Sequence, residues 1–218
     1  MPEKLATKEP YVKEFEALVQ KIDADKIILD KTYFYPESGG QVGDTGYLNQ
    51  AKVVGTKYDA NKENILHFVE GQPDFKEGDR VVGKIDWERR YKIMKLHAAS
   101  HVMEHYLFEV FGKLKLVGTQ VNEKHDSSTY EYPNALEPEK LKQVEKLVNE
   151  FISKGYVIER WEDPNKPGWW HWKAGEIELP CGGTHPKSLN EIGPVTIKRK
   201  SSGSEKEKVL TSLVEQTV

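Results

Sequence analysis

Two short strings in the chain carry side chains of the kind that bind metal ions. His97 and His101 stand four apart in a stretch of helical periodicity, and Cys181 and His185 flank Gly182, Gly183 and Thr184. Residues at i and i+4 of a helix lie on one face, so both imidazoles can point at one ion. Metalloproteases use the same spacing, with a Glu after the first His as base. Here Ala98 follows His97, so that chemistry is absent, and two unrelated histidines on a helix is the competing reading. In the second string, glycines without a Cβ let the backbone fold tightly enough for thiol and imidazole to converge, while Pro180 and Pro186 stiffen the ends. A free buried Cys beside a surface loop is the competing reading there. Taken together, the strings supply a Cys and three His, a composition that zinc favours at tetrahedral sites. The expectation is Zn2+ on His97, His101, Cys181 and His185. His105, one turn further along the helix, is expected to support a ligand or sit in the core. His67, His125 and His171 show no ligand spacing and are read as structural or surface groups.

The elements that must position these residues follow from patterning. Residues 87–112 read as a long helix with a broad apolar stripe (Ile93, Leu96, Ala99, Val102, Met103, Tyr106, Leu107, Val110), Asp86 as N-cap and Gly112 as stop. A second helix is expected over 138–154, with Pro138 in its first turn and Gly155 ending it. Short strands are expected at 26–30, 51–58, 65–69 and 80–85, separated by Asn, Gly, Pro and Asp, which suggests a small barrel or sandwich. Residues 11–20 fit a strand or a short helix. Further strand-like pieces fall at 114–121 and 128–132, and residues 156–162 follow the second helix. Residues 163–175 read as a loop. A closing hairpin is expected with strands at 194–199 and 208–214 and its turn at 201–205. The fold class is thus α+β: a small N-terminal β-barrel over residues 1–87, then an α+β domain over 88–218 that contains the long metal-bearing helix.

Composition narrows the function. Of 218 residues, 32 are Lys or Arg and 35 Asp or Glu, a net charge of −3. That argues against a protein that coats nucleic acid through bulk charge, though a local basic face remains open. Enrichment in Lys and Glu with little Cys is a weak hyperthermophile tendency. The single cysteine, Cys181, excludes an intramolecular disulfide and reads as cytoplasmic. Residues 1–10 are polar and unlike a signal peptide. No run approaches the roughly eighteen apolar residues of a membrane span, so no membrane partner is expected.

A helix carrying H-x-x-x-H with C-x-x-x-H far downstream resembles the editing domain of alanyl-tRNA synthetase, which the freestanding AlaX editing proteins share and to which the threonyl-tRNA synthetase editing domain is related. Cys181-Gly182-Gly183-Thr184-His185 and Glu191-Ile192-Gly193-Pro194 are close matches. The string Phe34-Tyr35-Pro36-Glu37-Ser38-Gly39-Gly40-Gln41-Val42-Gly43-Asp44-Thr45-Gly46 resembles the glycine-rich segment of the synthetase and of medium-length AlaX proteins. The resemblance implies a β-barrel followed by an α+β editing domain whose long helix bears zinc. It implies hydrolysis, in trans and without ATP, of the ester in tRNA(Ala) carrying a wrong amino acid, Ser or in some members Gly. The four zinc ligands carry over onto the residues named above.

Such a site needs an activated water, a stabilised carbonyl oxygen and a positioned amino acid. Zinc can serve the first two only with an open coordination position, whereas four protein ligands close a tetrahedral shell. One ligand is then displaced, or the shell expands, or the zinc only orders the pocket. Gly39 and Gly40 can bring backbone N–H groups near the ester, and Gln41 can orient water or amino acid; a tight barrel turn is the alternative, and the resemblance tips the reading towards function. Asp44 supports that loop, accepts a proton or is an ordinary turn residue. Thr119 falls near the family's hydroxyl-sensing position, with Gly118 as the competing alignment. Arg89, Arg90, Lys92, Lys95, Lys198, Arg199 and Lys200 are candidates for tRNA contact. Trp169, Trp170 and Trp172 are expected to pack the loop against the barrel rather than to stack on the terminal adenine. Two rival functions remain: a zinc hydrolase of another small ester or amide, and a non-enzymatic tRNA-binding module with structural zinc. Oligomeric state is not encoded in any motif.

Overall fold

The computed structural model describes residues 3–201, 203 and 205–214. Met1, Pro2 and two residues of the expected closing turn, Ser202 and Ser204, lie outside the described residues. The chain divides into two compact units, Met1–Tyr91 and Lys92–Val218.

The first unit contains strands β1 (Glu3–Lys4), β2 (Glu14–Asp23), β3 (Lys26–Leu29), β4 (Lys31–Thr32), β5 (Gly46–Leu48), β6 (Ala51–Tyr58), β7 (Ile65–Val69) and β8 (Arg80–Ile85). Six of them close a barrel in the order β2-β3-β7-β6-β5-β8. The region left open between helix and strand is a strand. Its inward residues are Phe15, Ala17 and Val19, whereas Leu18 is 41% exposed, so the period is two and not the helical three to four. Those side chains meet Leu48, Val53, Val69, Val81 and Ile85 in the barrel interior. Gly83 faces Phe15 across the β2–β8 ladder, and a Cβ there would stand 2.5 Å from the Phe15 ring.

One polar residue is built into this interior. His67 is fully buried, with Nε2 2.8 Å from the Thr32 hydroxyl and Nδ1 3.0 Å from the Ile27 carbonyl oxygen. A neutral ring that donates from Nδ1 and accepts at Nε2 satisfies both. Burial pushes its pKa down from 6.5 to about 4, against the Ile27 hydrogen bond.

Helix α1 (Trp87–Phe111) starts in the first unit and runs through the second. Asp86 Oδ1 caps it by accepting from the Arg89 amide at 3.2 Å, and Gly112, with φ 79°, ends it. The second unit adds β9 (Lys115–Val121), β10 (Asp126–Glu131), α2 (Pro138–Ser153), β11 (Glu159–Glu162), β12 (Trp170–Ala174), β13 (Ile177–Pro180), β14 (Val195–Ser201) and β15 (Lys206–Leu213). An antiparallel sheet runs β14-β15-β10-β9, and a smaller one runs β11-β12-β13. Asn149 of α2 clamps β14, donating to the Val195 carbonyl at 2.9 Å and accepting its amide at 2.8 Å. Val102, Met103 and Leu107 of α1 share a core with Val144, Val148, Phe151, Trp172 and Val209. The expected loop over 163–175 needs correction: its second half is β12. The turn formers Pro164, Pro167 and Gly168 are confined to its first half, while Trp172 and Ala174 alternate inward and are fully buried. No helix among the described residues is long and apolar enough to cross a membrane.

The His67 environment makes a prediction about acid stability. The folded barrel resists protonating a ring that titrates near 6.5 when unfolded, so stability is whole above that pH and falls as pH drops towards 4. The loss is at most on the order of 3 kcal/mol. Urea unfolding of wild type and His67→Gln across pH 7.5 to 4.5 should show the stability gap between them shrinking in acid. A gap that stays constant with pH would show that the ring titrates alike in the folded barrel and in the unfolded chain.

Candidate metal centre and its surroundings

Within the second unit, α1 presents His97 and His101 side by side, ring centroids 4.8 Å apart. Cys181 follows directly on β13, and its amide donates to the Trp170 carbonyl at 2.8 Å. The backbone then turns through the two glycines to return His185 to the helix. His101 Nε2 lies 3.1 Å from His185 Nε2, and Cys181 Sγ lies 3.5 Å from His97 Nε2 and 3.6 Å from His185 Nε2. The four donor atoms fall within 4.8 Å of one another, a group that could hold a metal ion.

Several contacts fix this convergence. Arg160 of β11 donates from Nη2 to the Gly183 carbonyl at 3.0 Å, pinning the middle of the loop, and lies over the Trp170 ring. Trp172 packs against His101 at 5.0 Å between centroids. Beyond Pro186, Ser188 and Glu191 form a reciprocal capping box on a short 3-10 turn, Leu189–Glu191. Burial holds the His97 pKa down to about 4, helped by the positive Arg160. Burial also holds His101 and His185 well below their usual value, with neighbouring histidines adding to the effect. The three rings are therefore neutral near pH 7, with lone pairs free for a metal. Burial raises the Cys181 thiol, opposed by the Gly183 hydrogen bond and Arg160, so metal binding must displace its proton.

The remaining candidates are distributed over both units. In the first, Ser38 and Gln41 exchange backbone hydrogen bonds at 3.1 and 2.9 Å, and the Gly39 and Gly40 between them have φ of 56° and 84°. Two positive φ values in a two-residue connection are those of a type I′ turn, which only glycine-like residues adopt readily. Gln41 is fully buried. Asp44 is buried with Arg90: its Oδ1 accepts from Arg90 Nε at 2.8 Å, Oδ2 accepts from Nη2, and the Tyr35 amide donates to Oδ2 as well. Arg90 also donates to the Pro10 and Tyr33 carbonyls. Its expected role in tRNA contact is corrected on this ground: with no exposure it is a structural cation. Arg89, half-buried, donates to the Gly43 carbonyl at 2.8 Å.

In the second unit, Lys95 is partly buried, and that burial lowers its pKa against the pull of Glu191. Lys92, Lys198 and Lys200 are exposed, whereas Arg199 is paired with Glu207. The Thr119 hydroxyl lies 3.3 Å from that of Ser128 and 3.5 Å from Asp126. His105 is exposed, contrary to expectation. Each step of four residues rotates about 40° around the helix, so two steps from His97 carry it off the ligand face. Trp172 fills the second unit's own core. Sequence reasoning missed Arg160, Glu104 and Asp126. The alternation Asp126-x-Ser128-x-Tyr130 on one strand face was the available signal for the last; Arg160 had none.

The four donors could hold a metal ion, and comparison with known proteins gives the class, that of alanyl-tRNA editing proteins. A family model described as tRNA synthetases class II (A) matches residues 5–89. The chain is 35% identical over 213 residues to the alanyl-tRNA editing protein AlaX-M of Pyrococcus horikoshii, covering 96% of each chain. It is 32% identical to the AlaX-M protein of Saccharolobus solfataricus, over 96% of this chain and 98% of the relative. It is 34% identical to the alanine–tRNA ligase of Thermococcus kodakarensis, over 88% of this chain and 23% of the ligase. The chain belongs to the AlaX-M family of alanyl-tRNA editing proteins.

Elemental analysis of the purified protein should find about one equivalent of transition metal per chain, and the double variant His97→Ala/His101→Ala should carry almost none. Full retention in the double variant would remove these four residues as the metal centre.

Proposed function

We propose that the chain is a trans-editing hydrolase that deacylates mischarged tRNA(Ala), chiefly Ser-tRNA(Ala) and secondarily Gly-tRNA(Ala), in the cytoplasm and without ATP. The relatives of matching length are named alanyl-tRNA editing proteins. In this reading residues 1–87 form the barrel domain with the glycine-rich motif, and residues 88–218 form the zinc-binding editing domain.

The observation that carries the proposal is the size of the donor group. Zn–N bonds of about 2.05 Å and Zn–S bonds of about 2.3 Å in a tetrahedron require N···N edges of about 3.3 Å and N···S edges of about 3.6 Å. Three of the six separations here, at 3.1, 3.5 and 3.6 Å, match those edges, and all four donors lie within 4.8 Å of one another. On this ground His97, His101, Cys181 and His185 are our candidates for zinc ligands. Bound there, zinc supplies Lewis acidity towards an ester carbonyl.

The chain's own residues supply selection. Correct Ala-tRNA(Ala) must survive while the seryl ester is cut. A site that hydrogen-bonds a hydroxyl penalises a substrate lacking it, because its own polar group is left unpaired. Thr119, with its hydroxyl beside Ser128, is our candidate for that discrimination. Gln41, with Gly39 and Gly40, is our candidate for orienting water or the amino acid. Asp44, tied to Arg90, supports that segment. Arg89 and Lys95 are kept as substrate-side cations. One observation favours a second reading, a tRNA-binding module with structural zinc: four protein donors close a tetrahedral shell.

Deacylation of Ser-, Gly- and Ala-tRNA(Ala) in parallel separates the two. Editing predicts rapid loss of the seryl ester and survival of the alanyl ester; no hydrolysis of any ester would leave the structural-zinc module. Gln41→Ala should keep its metal, yet lose on the order of a hundredfold in rate or relax rejection of Ala-tRNA(Ala). Wild-type rates on all three esters would remove Gln41 from the site.

Contact with tRNA should depend on salt. Reversing the exposed Lys92, Lys198 and Lys200 to Glu should raise KM and flatten its salt dependence, because fewer phosphate contacts release fewer counterions. An unchanged salt slope would place the tRNA on another face.

A further inference from the structure

The inner face of the four-stranded sheet in the second unit carries a buried carboxyl group with no counter-ion. Asp126 is fully buried on β10. Its carboxylate accepts from the Ser128 hydroxyl at 3.1 and 3.3 Å and lies 3.5 Å from that of Thr119. Two residues further along the same face after Ser128, the Tyr130 hydroxyl donates to Glu104 of α1 at 3.3 Å, so a second carboxylate stands over the same face. Neither Asp126 nor Glu104 forms an ion pair among the described residues. Burial raises the pKa of both, Asp126 to about 7, and Glu104 adds to the shift at Asp126. Buried carboxylates are ordinarily paired with a cation.

A second observation points at the same spot. Thr211 of β15 lies directly opposite Asp126 in the ladder, which puts their side chains on one face. Thr211 is fully buried, and its Oγ1 has no hydrogen-bond partner. A threonine hydroxyl with no hydrogen-bond partner thus stands beside a buried carboxyl group with no cation. Glu104 links this face to the candidate metal ligands: it follows His101 by three residues, neighbours on a helix surface about 4.5 Å apart along the axis.

We infer that Asp126, supported by Glu104 and Thr211, receives the α-ammonium group of the amino acid esterified to tRNA. This deepens the editing reading and rests on it. An ammonium offers three donors and one positive charge, which matches one carboxylate, one free hydroxyl and a neighbouring acid. Thr119 bonds to the same carboxylate and hydroxyl group, so the subsite for the amino group adjoins the residue proposed to sense the side-chain hydroxyl.

The test compares two esters of tRNA(Ala), seryl and 3-hydroxypropanoyl, which differ only in the α-ammonium. Wild type should cleave the seryl ester with a kcat/KM on the order of a hundredfold higher, the effect expected for losing one partner of a buried charge pair. Asp126→Asn, nearly isosteric, should erase that preference by slowing the seryl ester alone, with metal content unchanged. A measurement on wild type guards against a variant that folds poorly: L-serinamide should inhibit far better than 3-hydroxypropanamide. Equal inhibition by the two amides, or an equal loss on both esters in Asp126→Asn, would make Asp126 a structural residue and leave the editing reading intact. Failure of wild type to cleave either ester would overturn the editing reading itself, and this inference with it.

Discussion

Four donor atoms must meet within 4.8 Å, and two of them come from a helix 84 residues away in sequence from the loop that supplies the others. The architecture of the second unit is organised around that constraint. The helix half is met by geometry alone, since a four-residue spacing stacks His97 on His101. The loop half needs help, because glycines that permit the turn also permit many others. Arg160 removes that freedom by holding the Gly183 carbonyl, and the β12 backbone holds the Cys181 amide. Trp172, with the largest fully buried side chain, sets the distance at which the loop can approach His101. The capping box after Pro186 ends the loop at a defined place. Each device is modest, and together they favour the one loop conformation that groups the four donors.

The glycine-rich segment of the first unit follows a different logic. The string was read for what its backbone can approach, yet the first determinant is conformational: Gly39 and Gly40 occupy left-handed φ in a two-residue turn. The segment is then anchored by Asp44 on Arg90, an ion pair without exposure whose remaining hydrogen bonds are filled by Pro10, Tyr33 and Tyr35. Breaking such a pair leaves an uncompensated buried charge, which costs far more than the pair itself contributes. Arg90 therefore belongs to the fold, although among basic residues on a helix it looks no different in sequence from its exposed neighbour Lys92.

The barrel strands at 51–58, 65–69 and 80–85 could be read to the residue because period-two alternation and turn residues agreed at both ends. The two helices were legible for the same reason, with caps and periodicity concurring. Legibility failed where one signal was split. Phe15, Leu18 and Val19 fit a helical spacing, and only packing reveals that Ala17 faces inward and Leu18 outward. At 163–175 the prolines and Gly168 spoke for the entire stretch, though they govern only its first half. In the site, the ligand types announced themselves by spacing. Arg160 did not, because an arginine acting on a carbonyl 23 residues away leaves no local pattern. His105 misled because helical spacing is counted in whole turns while the helix rotates in steps of 100°.

The polar face of the four-stranded sheet is the place where local rules and stability disagree. Across one row the inward residues run Ile197, Thr211, Asp126, Val121, all nearly or fully buried. Two aliphatic ends make this a core row, and a third and fourth aliphatic residue would pack it at lower free energy than an acid and a hydroxyl. The flanking row repeats the mixture, with Val209 beside Ser128 and Thr119. A structural role for these polar groups would be expected to close their hydrogen bonds within the protein, as the Thr32–His67–Ile27 chain does in the barrel. Asp126 and Thr211 are not closed in that way. The two buried polar sites therefore differ in kind: His67 is complete and neutral, whereas the face over β10 is left short of a cation and of a partner for Thr211. Sites that sacrifice folding stability in this manner are where a protein keeps capacity for something it does not itself contain.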